Sequence, residues 1–217
     1  MNAIRPLRSE LTGRFIRLVP MAEADLPELF AAIGTPATFA GGYGGGPAGY
    51  RPTLEEFIEW ARGYYHWDDN NVYAVRVRGG DHHDALVGTT TLGDFVESVE
   101  HAHIGWTAYD RRVWGTQVNS EAKLLLLGLA FDAGFGRVKI QADSLNERSR
   151  AAIAGIGAIF EGLVRRDTRR ADGSWRDTAV FSVTIDDWPR VRTILQARLE
   201  PYGDRPIVFR PIPDTAN

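Results

Sequence analysis

The spacing of hydrophobic residues divides the chain into strand-like and helix-like segments. Alternating apolar and polar side chains are typical of strands, whereas apolar residues three and four positions apart are typical of helices. These patterns predict strands at 15–19, 72–77, 85–92, 101–109, 138–142, 159–164 and 177–185. They predict helices at 22–33, 53–67, 119–134, 146–155 and 189–199.

The order of these segments indicates the fold class. A run of strands followed by a helix, a strand and another helix favours an α+β fold in three layers, with one mixed sheet between helices on both faces. No internal repeat or linker divides the sequence. We therefore expect a single domain over 1–217, with a core at about 11–185 and a C-terminal helix and tail at 186–217.

The composition is typical of a folded globular protein, and it mainly serves to exclude other classes of protein. The 217 residues are 44% hydrophobic and 24% charged, which is sufficient for a hydrophobic core without disulfides. A net charge of -3 disfavours a dedicated nucleic-acid-binding protein. The sequence shows neither a signal peptide nor an apolar run near the roughly 20 residues of a membrane helix. We expect a cytoplasmic protein with no nucleic-acid or membrane partner.

Cysteine is absent, which excludes thiolate metal ligands and a cysteine nucleophile. His101 and His103 lie two residues apart and therefore on one face of a predicted strand. This pair lacks a clear third ligand, and zinc-type sites need at least three. We therefore expect no bound metal.

Glycines are concentrated between residues 34 and 49, where seven of the 23 lie. The spacing Gly44-x-Gly46-x-x-Gly49 formally matches a dinucleotide-binding fingerprint, which must follow a strand and begin a helix. Here a predicted helix precedes the glycines and Tyr50-Arg51-Pro52 follows them. A mobile loop that forms one wall of a substrate site is the better interpretation, with Tyr43 as its candidate acceptor contact.

Two strand-to-helix junctions carry candidate chemistry. The junction at 109–119 leads into the most apolar helix, and free amides at a helix N-terminus attract anions. Nearby cations strengthen this prediction: Arg111, Arg112 and Lys123. The junction at 143–151 begins the next helix with a polar first turn, which contains Asn146, Ser149 and Arg150. An ordinary solvated turn and an ordinary helix cap are the alternatives.

These junctions belong to a longer series of motifs along the chain. The motifs are Leu11-x-Gly13, Leu18-x-Pro20, Ile104-Gly105-Trp106, Trp114-Gly115-Thr116, Val118-Asn119-x-Glu121-Ala122-Lys123, Asn146-x-x-Ser149-Arg150, Gly157-Ala158-x-x-Glu161-Gly162 and Asp172-Gly173-x-Trp175-Arg176-Asp177. Together they resemble the Gcn5-related N-acetyltransferases (GNAT), in particular the RimJ/RimL-like branch that acetylates the N-termini of ribosomal proteins. The resemblance covers about 11–185 and implies the GNAT fold, with a mostly antiparallel sheet splayed at its centre.

The resemblance implies an enzyme that transfers the acetyl group of acetyl-CoA directly to a primary amine. The acceptor would be the α-amine of a protein or peptide N-terminus, or a small-molecule amine. Acetyl-CoA would be held by the strand before the first junction, by that junction and by the start of the second helix. The implied contacts are Trp106, Thr107, Ala108, Arg112, Trp114, Gly115, Thr116, Gln117, Val118, Asn119, Ser120, Asn146, Ser149 and Arg150.

Two positions in the implied pyrophosphate turn depart from the family pattern. Gln117 stands where the family usually has glycine, and Asn119 where it usually has glycine or alanine. A glycine there permits positive φ and a close approach of the backbone to phosphate. The alternative is therefore a degenerate member that binds CoA or another ligand without catalysis, as a sensor or an interaction module.

The resemblance also implies catalytic groups. Asn146 would contact pantetheine or the amine, and Ser149 would protonate the leaving thiolate. An α-amine with a pKa of about 7.7–8.0 is partly neutral at pH 7, so a weak base suffices. Relatives often carry a glutamate where this chain has His103, which is the predicted base. Further candidates for base or acceptor contact are Glu100 and Asp94, and Asp177 would either anchor the amine or pair with Arg176.

Two features leave the acceptor and the assembly open. The stretch at 60–69 combines aromatic and acidic residues, which suits a cationic amine, although its aromatic residues are equally expected in the core. The apolar patterns of the sheet and of the last helix are compatible with a homodimer.

Overall fold

An eight-stranded sheet organises the computed structural model, which describes residues 2–212. The strands are β1 (Leu11–Thr12), β2 (Ile16–Pro20), β3 (Asn71–Val77), β4 (Leu86–Val96), β5 (His101–Tyr109), β6 (Arg137–Asp143), β7 (Ile159–Arg169) and β8 (Trp175–Thr184). The helices are α1 (Leu26–Ile33), α2 (Pro36–Ala40), α3 (Leu54–Tyr64), α4 (Gln117–Asp132), α5 (Glu147–Gly155) and α6 (Trp188–Leu199). The predicted strands and helices are confirmed, and β1 and α2 are additional. Of the predicted single domain, Met1 and 213–217 lie outside the described residues.

The strand order is β1-β2-β3-β4-β5-β6-β8-β7. β5 and β6 are parallel, because α4 carries the chain back across the sheet between them. All other neighbouring strands in the described part of the chain are antiparallel. The sheet is thus mixed and mostly antiparallel, as expected, and β8 rather than β7 lies beside β6.

Helices cover both faces of the sheet, which confirms the three predicted layers. α4 and α6 pack on one face, toward which Tyr73 and Val75 of β3 point, whereas α1 and α3 pack on the other, against Val72 and Ala74. α6 belongs to the first core through its buried residues Val191, Leu195 and Leu199. Within residues 2–212, no helix combines the length and the apolar character required to cross a membrane.

The starts of α3 and α4 are set by side-chain caps. Thr53 and Glu56 form a capping box at the start of α3, in which the Thr53 hydroxyl accepts a hydrogen bond from the Glu56 amide at 3.3 Å. Thr116 caps α4, because its hydroxyl accepts from the Val118 amide at 3.5 Å. α4 therefore begins at Gln117, two residues before the predicted start.

Glu121 fixes α4 to the beginning of the sheet. Its buried carboxylate accepts hydrogen bonds from the backbone amides of Arg14 and Phe15 at 2.7 Å, and of Ile16 at 2.8 Å. Gly13 leaves room for this contact, since a Cβ there would lie 2.5 Å from the carboxylate carbon. The contact joins residues more than 100 positions apart and holds the N-terminal end of α4 in register with the sheet.

The glycine-rich segment, predicted to be a mobile loop, contains helical turns. It consists of α2 and two short 3-10 turns, Tyr43–Gly45 and Pro47–Gly49. Phe39 packs edge-on against Trp60 of α3, with ring centroids 5.7 Å apart. The turns require left-handed backbone at Gly42, Gly44, Gly45 and Gly46. The segment is therefore a set of helical turns packed on an aromatic cluster.

Candidate active site

β5 and β6 diverge at the centre of the sheet. Their parallel pairing ends at Ile104 and Ile140, although β6 continues along β8 as far as Asp143 and β5 continues along β4. From Gly105 onward the edge of β5 that faces β6 has no strand partner among the described residues. Backbone amide and carbonyl groups at such an edge need other hydrogen-bonding partners. The gap therefore suits a ligand that carries amide groups of its own.

A β-bulge in β5 accompanies this divergence. Thr91 of β4 lies opposite Gly105 and Thr89 lies opposite Ala108, so β5 contains one residue more than β4 between these pairs. Within the bulge, Trp106 has a φ of 48°, which costs a non-glycine residue about 1–2 kcal/mol. Backbone strain of this kind is concentrated at functional sites.

A cavity of about 500 Å³ occupies the gap. Its walls come from β5, β6, the start of α4, the first turns of α5 and the glycine-rich segment. The cavity brings together eleven of the residues predicted from the sequence: Tyr43, Trp106, Thr107, Ala108, Trp114, Gly115, Thr116, Asn119, Ser120, Asn146 and Ser149.

The turn between β5 and α4 forms one end of the cavity and suits an anion. Gly115 has a φ of 68°, a conformation that favours glycine. The first amides of α4 follow directly after the cap residue Thr116. Arg148 of α5 stacks on Trp114 with its guanidinium 3.6 Å from the ring centroid, and Arg111 lies 5.6 Å from the same ring. Helix N-terminal amides and nearby cations together bind phosphate groups.

The sequence profile of the acetyltransferase (GNAT) domain matches residues 16–159, more than half of the chain. The chain belongs to the GNAT acetyltransferases. It is thus an acetyl-CoA-dependent N-acetyltransferase, as the resemblance implies.

Solved structures share the architecture. A GCN5-related N-acetyltransferase from Brucella melitensis superposes with a TM-score of 0.80 over 90% of this chain and 87% of its own, at 26% identity. A protein from T. thermophilus that is assigned to the acetyltransferases has a TM-score of 0.79 and 30% identity over 90% of this chain and 100% of its own. Mycobacterium smegmatis RimJ, solved with CoA-disulfide, shares the fold with a TM-score of 0.66 and 20% identity over 84% and 88% of the two chains. No curated protein sequence matches the chain.

The walls of this GNAT cavity fit acetyl-CoA, the cosubstrate of the family. The open edge of β5 offers hydrogen bonds to amides, and the Gly115 turn with the α4 N-terminus offers amides and cations to phosphates. Acetyl-CoA supplies an acetyl group activated as a thioester. No group of three metal-ligating side chains is found among residues 2–212.

Gln117, which departs from the GNAT pattern, points away from the cavity. Its side-chain amide nitrogen donates to the carbonyl of Arg205 at 3.4 Å. Close by, the Arg210 guanidinium donates to the Gly115 carbonyl at 3.0 Å, and the Arg210 amide donates to the Arg112 carbonyl at 2.9 Å. The C-terminal segment therefore packs on the outer side of the turn, and Gln117 serves that contact without obstructing the cavity.

Three further predicted cosubstrate contacts have side chains off the cavity wall. Val118 is buried in the core beneath α4. Arg112 pairs with Asp110, with its Nε 3.0 Å from Oδ2. Arg150 donates to the Ser144 carbonyl at 3.2 Å. These side chains are buried or paired within the protein and are therefore unavailable to a ligand. They hold the two junctions together instead.

Asn146 and Ser149 both lie on the wall, but only the Ser149 side chain is free of hydrogen bonds within the described structure. The Asn146 side-chain oxygen accepts from the Ser149 amide at 3.0 Å, and its nitrogen donates to the Gly41 carbonyl. Asn146 is thus the cap of α5 and also ties this helix to the glycine-rich segment. The Ser149 hydroxyl has no hydrogen-bond partner in the described structure and remains available to a ligand.

His103 forms a pair with Asp94 immediately behind the cavity. Its Nδ1 lies 2.8 Å from the Asp94 carboxylate, while its Nε2 is buried without a partner in residues 2–212. Burial lowers the pKa of His103 below its usual value, although Asp94 opposes this effect. His103 itself is not on the wall. Its ring packs against Gly105, which does lie on the cavity wall. A Cβ on Gly105 would lie 2.6 Å from the ring.

The remaining predicted acceptor contacts lie elsewhere. Glu100 precedes β5 at the end opposite the cavity, where its carbonyl accepts from the Gly136 amide at 2.9 Å. The Asp177 carboxylate accepts from the Arg166 amide at 2.8 Å. Asp177 does not pair with Arg176, because adjacent strand residues point to opposite faces. The acidic residues of the 60–69 stretch are also absent from the wall.

Several charged wall residues were not predicted as site residues. Lys123 was considered only as a nearby cation, yet it lies on the wall and its ammonium donates to the Thr107 hydroxyl at 3.3 Å. Burial lowers the pKa of Lys123 to about 8. Arg148 and Arg176 also line the cavity. The sequence pattern of β8 could have identified Arg176. It lies two residues before the buried Thr178, and side chains two residues apart lie on the same face of a strand.

Proposed function

We propose that this GNAT enzyme transfers the acetyl group directly from acetyl-CoA to a primary amine bound in the same cavity. The observation that carries the proposal is the continuity of the cavity from the phosphate-suited turn to the glycine-rich segment. A new C–N bond forms as the thioester C–S bond breaks, the amine loses a proton, and CoA leaves as the thiol. No acetyl-cysteine intermediate can form, because the chain has no cysteine.

The proposed acceptor is the α-amine of a protein or peptide N-terminus, or a small-molecule amine of similar pKa. Such an amine, with a pKa of about 7.7–8.0, is partly neutral at physiological pH, whereas a lysine at about 10.4 is not. Such an amine needs only a weak base, and the pair of His103 and Asp94 can provide one. Its Nδ1 faces the carboxylate, so the neutral ring carries its lone pair at Nε2.

We assign three side chains to the reaction. His103 lies behind Gly105 and off the cavity wall, and it receives the amine proton through an intervening water. Ser149 protonates the leaving thiolate through its free hydroxyl. Asn146 holds the glycine-rich segment against α5, so that Tyr43 on that segment faces the acceptor.

Calorimetry with acetyl-CoA, followed by a thiol-release assay on a panel of amines, tests the proposal. We expect acetyl-CoA to bind, and CoA to be released only when an acceptor amine is present. Mass spectrometry should find the acetyl group on the amine and not on the protein. Binding without release from any amine would instead support the degenerate alternative, a CoA-binding sensor.

The homodimer and the cytoplasmic location stay predictions. β7 is an outer strand of the sheet and exposes the apolar residues Ile159, Phe160, Leu163 and Val164. Sedimentation analysis over a concentration series would distinguish a dimer from a monomer.

A further inference from the structure

The charged side chains on the described cavity wall are mainly cationic. They comprise one carboxylate, that of Asp143, and four cations: Lys123, Arg148, Arg176 and Arg198. Asp143 is already neutralised, because Arg170 donates to its two oxygens at 2.8 and 3.0 Å. The cavity therefore favours anionic groups.

Three of these cations lie against, or contact, parts of the structure other than the acceptor end of the cavity. The Arg148 guanidinium stacks on Trp114 of the phosphate-suited turn. Lys123 lies within α4 and donates to Thr107 of β5. Arg198 belongs to α6 and adjoins the end of α5. Arg176 remains, and none of these neighbours contacts it.

Arg176 lies where the glycine-rich segment meets the β7–β8 turn. Tyr64 shares this part of the wall, and its hydroxyl accepts from the Gly44 amide at 3.3 Å. Next to it, the Ala171 amide of the turn donates to the Gly45 carbonyl at 3.0 Å. This is the end of the cavity that the proposed function assigns to the acceptor.

The Arg176 guanidinium has no partner of its own. Over residues 2–212 it makes no hydrogen bond or ion pair, and its Nε is buried and unsatisfied. Two carboxylates act on Arg176 through their charge, Asp143 and Asp167. Asp143 is engaged by Arg170, and Asp167 is exposed and forms no ion pair with Arg176 in the described structure. Burial lowers the pKa of Arg176 from its usual value. A partly buried cation without an ion-pair partner destabilises a fold, and a ligand that supplies the counter-charge removes this cost.

We propose that Arg176 binds a carboxylate of the acceptor, so that the acceptors are amino acids or peptides with an acidic group close to the reacting amine. The planar guanidinium can donate two parallel hydrogen bonds to a carboxylate, which an ammonium cannot do. This inference rests on the proposed function, because the acceptor must occupy the same cavity. A cationic acceptor is disfavoured for the same electrostatic reason.

Matched amine pairs test the proposal. CoA release is measured with glutamyl-alaninamide and glutaminyl-alaninamide, with glycylglycine and glycylglycinamide, and with phosphoserinamide and serinamide as the phosphate pair. We expect the wild-type kcat/KM to favour the carboxylate of a pair by about tenfold or more. Arg176→Gln should abolish this preference, and Arg176→Lys should retain part of it.

Arg165→Gln is the matched control, since Arg165 is an exposed residue of β7 outside the cavity. It should behave as the wild type. The affinity for acetyl-CoA and the Tm are measured for every variant. In Arg176→Gln the affinity should stay unchanged and the Tm should not fall, because the substitution removes an unpaired cation. That result shows that a lost preference does not reflect a damaged fold.

Equal rates for acid and amide, or a preference that survives Arg176→Gln, would overturn the carboxylate site. An Arg176-dependent preference for phosphoserinamide alone would overturn it in favour of a phosphate site. If no amine releases CoA, glutamyl-alaninamide and glycylglycine are titrated into the CoA-loaded protein. Binding that Arg176→Gln abolishes would then uphold the site while the proposed function fails, whereas absence of binding would overturn both.

Discussion

The contact between His103 and Asp94 depends on backbone geometry at single residues. Asp94 has a φ of 47°, and its amide donates to the Asn70 side chain at 3.0 Å. The pairing of β4 with β5 is also irregular between Gly93 and Val96. These features place a carboxylate beside His103, although the two residues are nine positions apart. Sequence reasoning identified both residues but could not show that they act together.

We predict that Asp94→Asn lowers kcat/KM by about 10- to 100-fold, because the amide no longer orients the imidazole or supports its basicity. His103 acts as a base only when it is neutral, which requires a pH above its pKa. Burial already lowers this pKa. The acidic limb of the pH–rate profile should therefore lie below about pH 6.5, the usual histidine value, and should move to still lower pH in the variant.

The profile of kcat/KM against pH checks this, with Asp69→Asn as a control at an exposed carboxylate outside the cavity. The amine contributes its own acidic limb at about pH 7.7–8.0. A separate limb below about pH 6.5 that persists in His103→Gln would exclude His103 as the base.

Lys123 permits a prediction about stability. Burial lowers its pKa from 10.5 to about 8, so between these values the unfolded chain binds a proton that the folded protein does not. The free energy of unfolding should therefore rise with pH across this window, by about 2–3 kcal/mol. In Lys123→Met this rise should be absent and the stability at pH 7 higher. Urea unfolding of both proteins at pH 7 and 10 measures the difference, and parallel pH dependences would contradict the assignment.

Among whole elements, the C-terminal segment has a role that the sequence did not suggest. Segment 205–210 follows α6 and packs on the turn that precedes α4, through Gln117 and Gly115. Phe209 also stacks under Arg112, with the guanidinium 4.5 Å from the ring centroid. The segment therefore stabilises the backbone of the phosphate-suited turn from its outer side.

We expect Arg210→Ala to raise the KM for acetyl-CoA about twofold to tenfold without changing kcat. It removes one charge-assisted hydrogen bond that holds the turn and does not touch the acceptor end. Steady-state kinetics and calorimetry provide the measurement. Arg192→Ala, at an exposed position of α6, is the control. An unchanged affinity for acetyl-CoA would show that the turn holds its shape without the segment.

For the molecule as a whole, charge is distributed unevenly. The chain has a net charge of -3, yet the described cavity wall carries four cations and one paired carboxylate. A cavity of one sign attracts ligands of the opposite sign even when the total charge of the protein disfavours them.

The binding of acetyl-CoA should accordingly weaken with salt. We expect its dissociation constant to rise about threefold to tenfold as added salt increases from about 50 to 300 mM, because screening reduces attraction between the cations and the phosphates. Arg148→Gln should lessen this salt dependence. Calorimetric titrations at several salt concentrations provide the test, and an affinity independent of salt would contradict it.

The sequence by itself determined the strands, the helices, the α+β class and the GNAT family. Alternation, helical spacing and caps such as Thr53 with Glu56 depend on neighbours within a few positions, so these signals can be read along the chain. It also indicated the strand-to-helix junction that forms the phosphate-suited turn, since such a junction is itself a local feature.

Only the tertiary structure decided which charged and polar groups have partners. Arg176, Asp177 and Asp143 look alike as polar residues near strand ends. Their environments differ because β8 lies between β6 and β7. The Arg166 amide contacts Asp177 across the β7–β8 hairpin, whereas Arg170 of the hairpin turn contacts Asp143 at the end of β6. Gln117 likewise finds its partner 88 positions away. Such pairings depend on strand order and bulges, which no short stretch of sequence encodes.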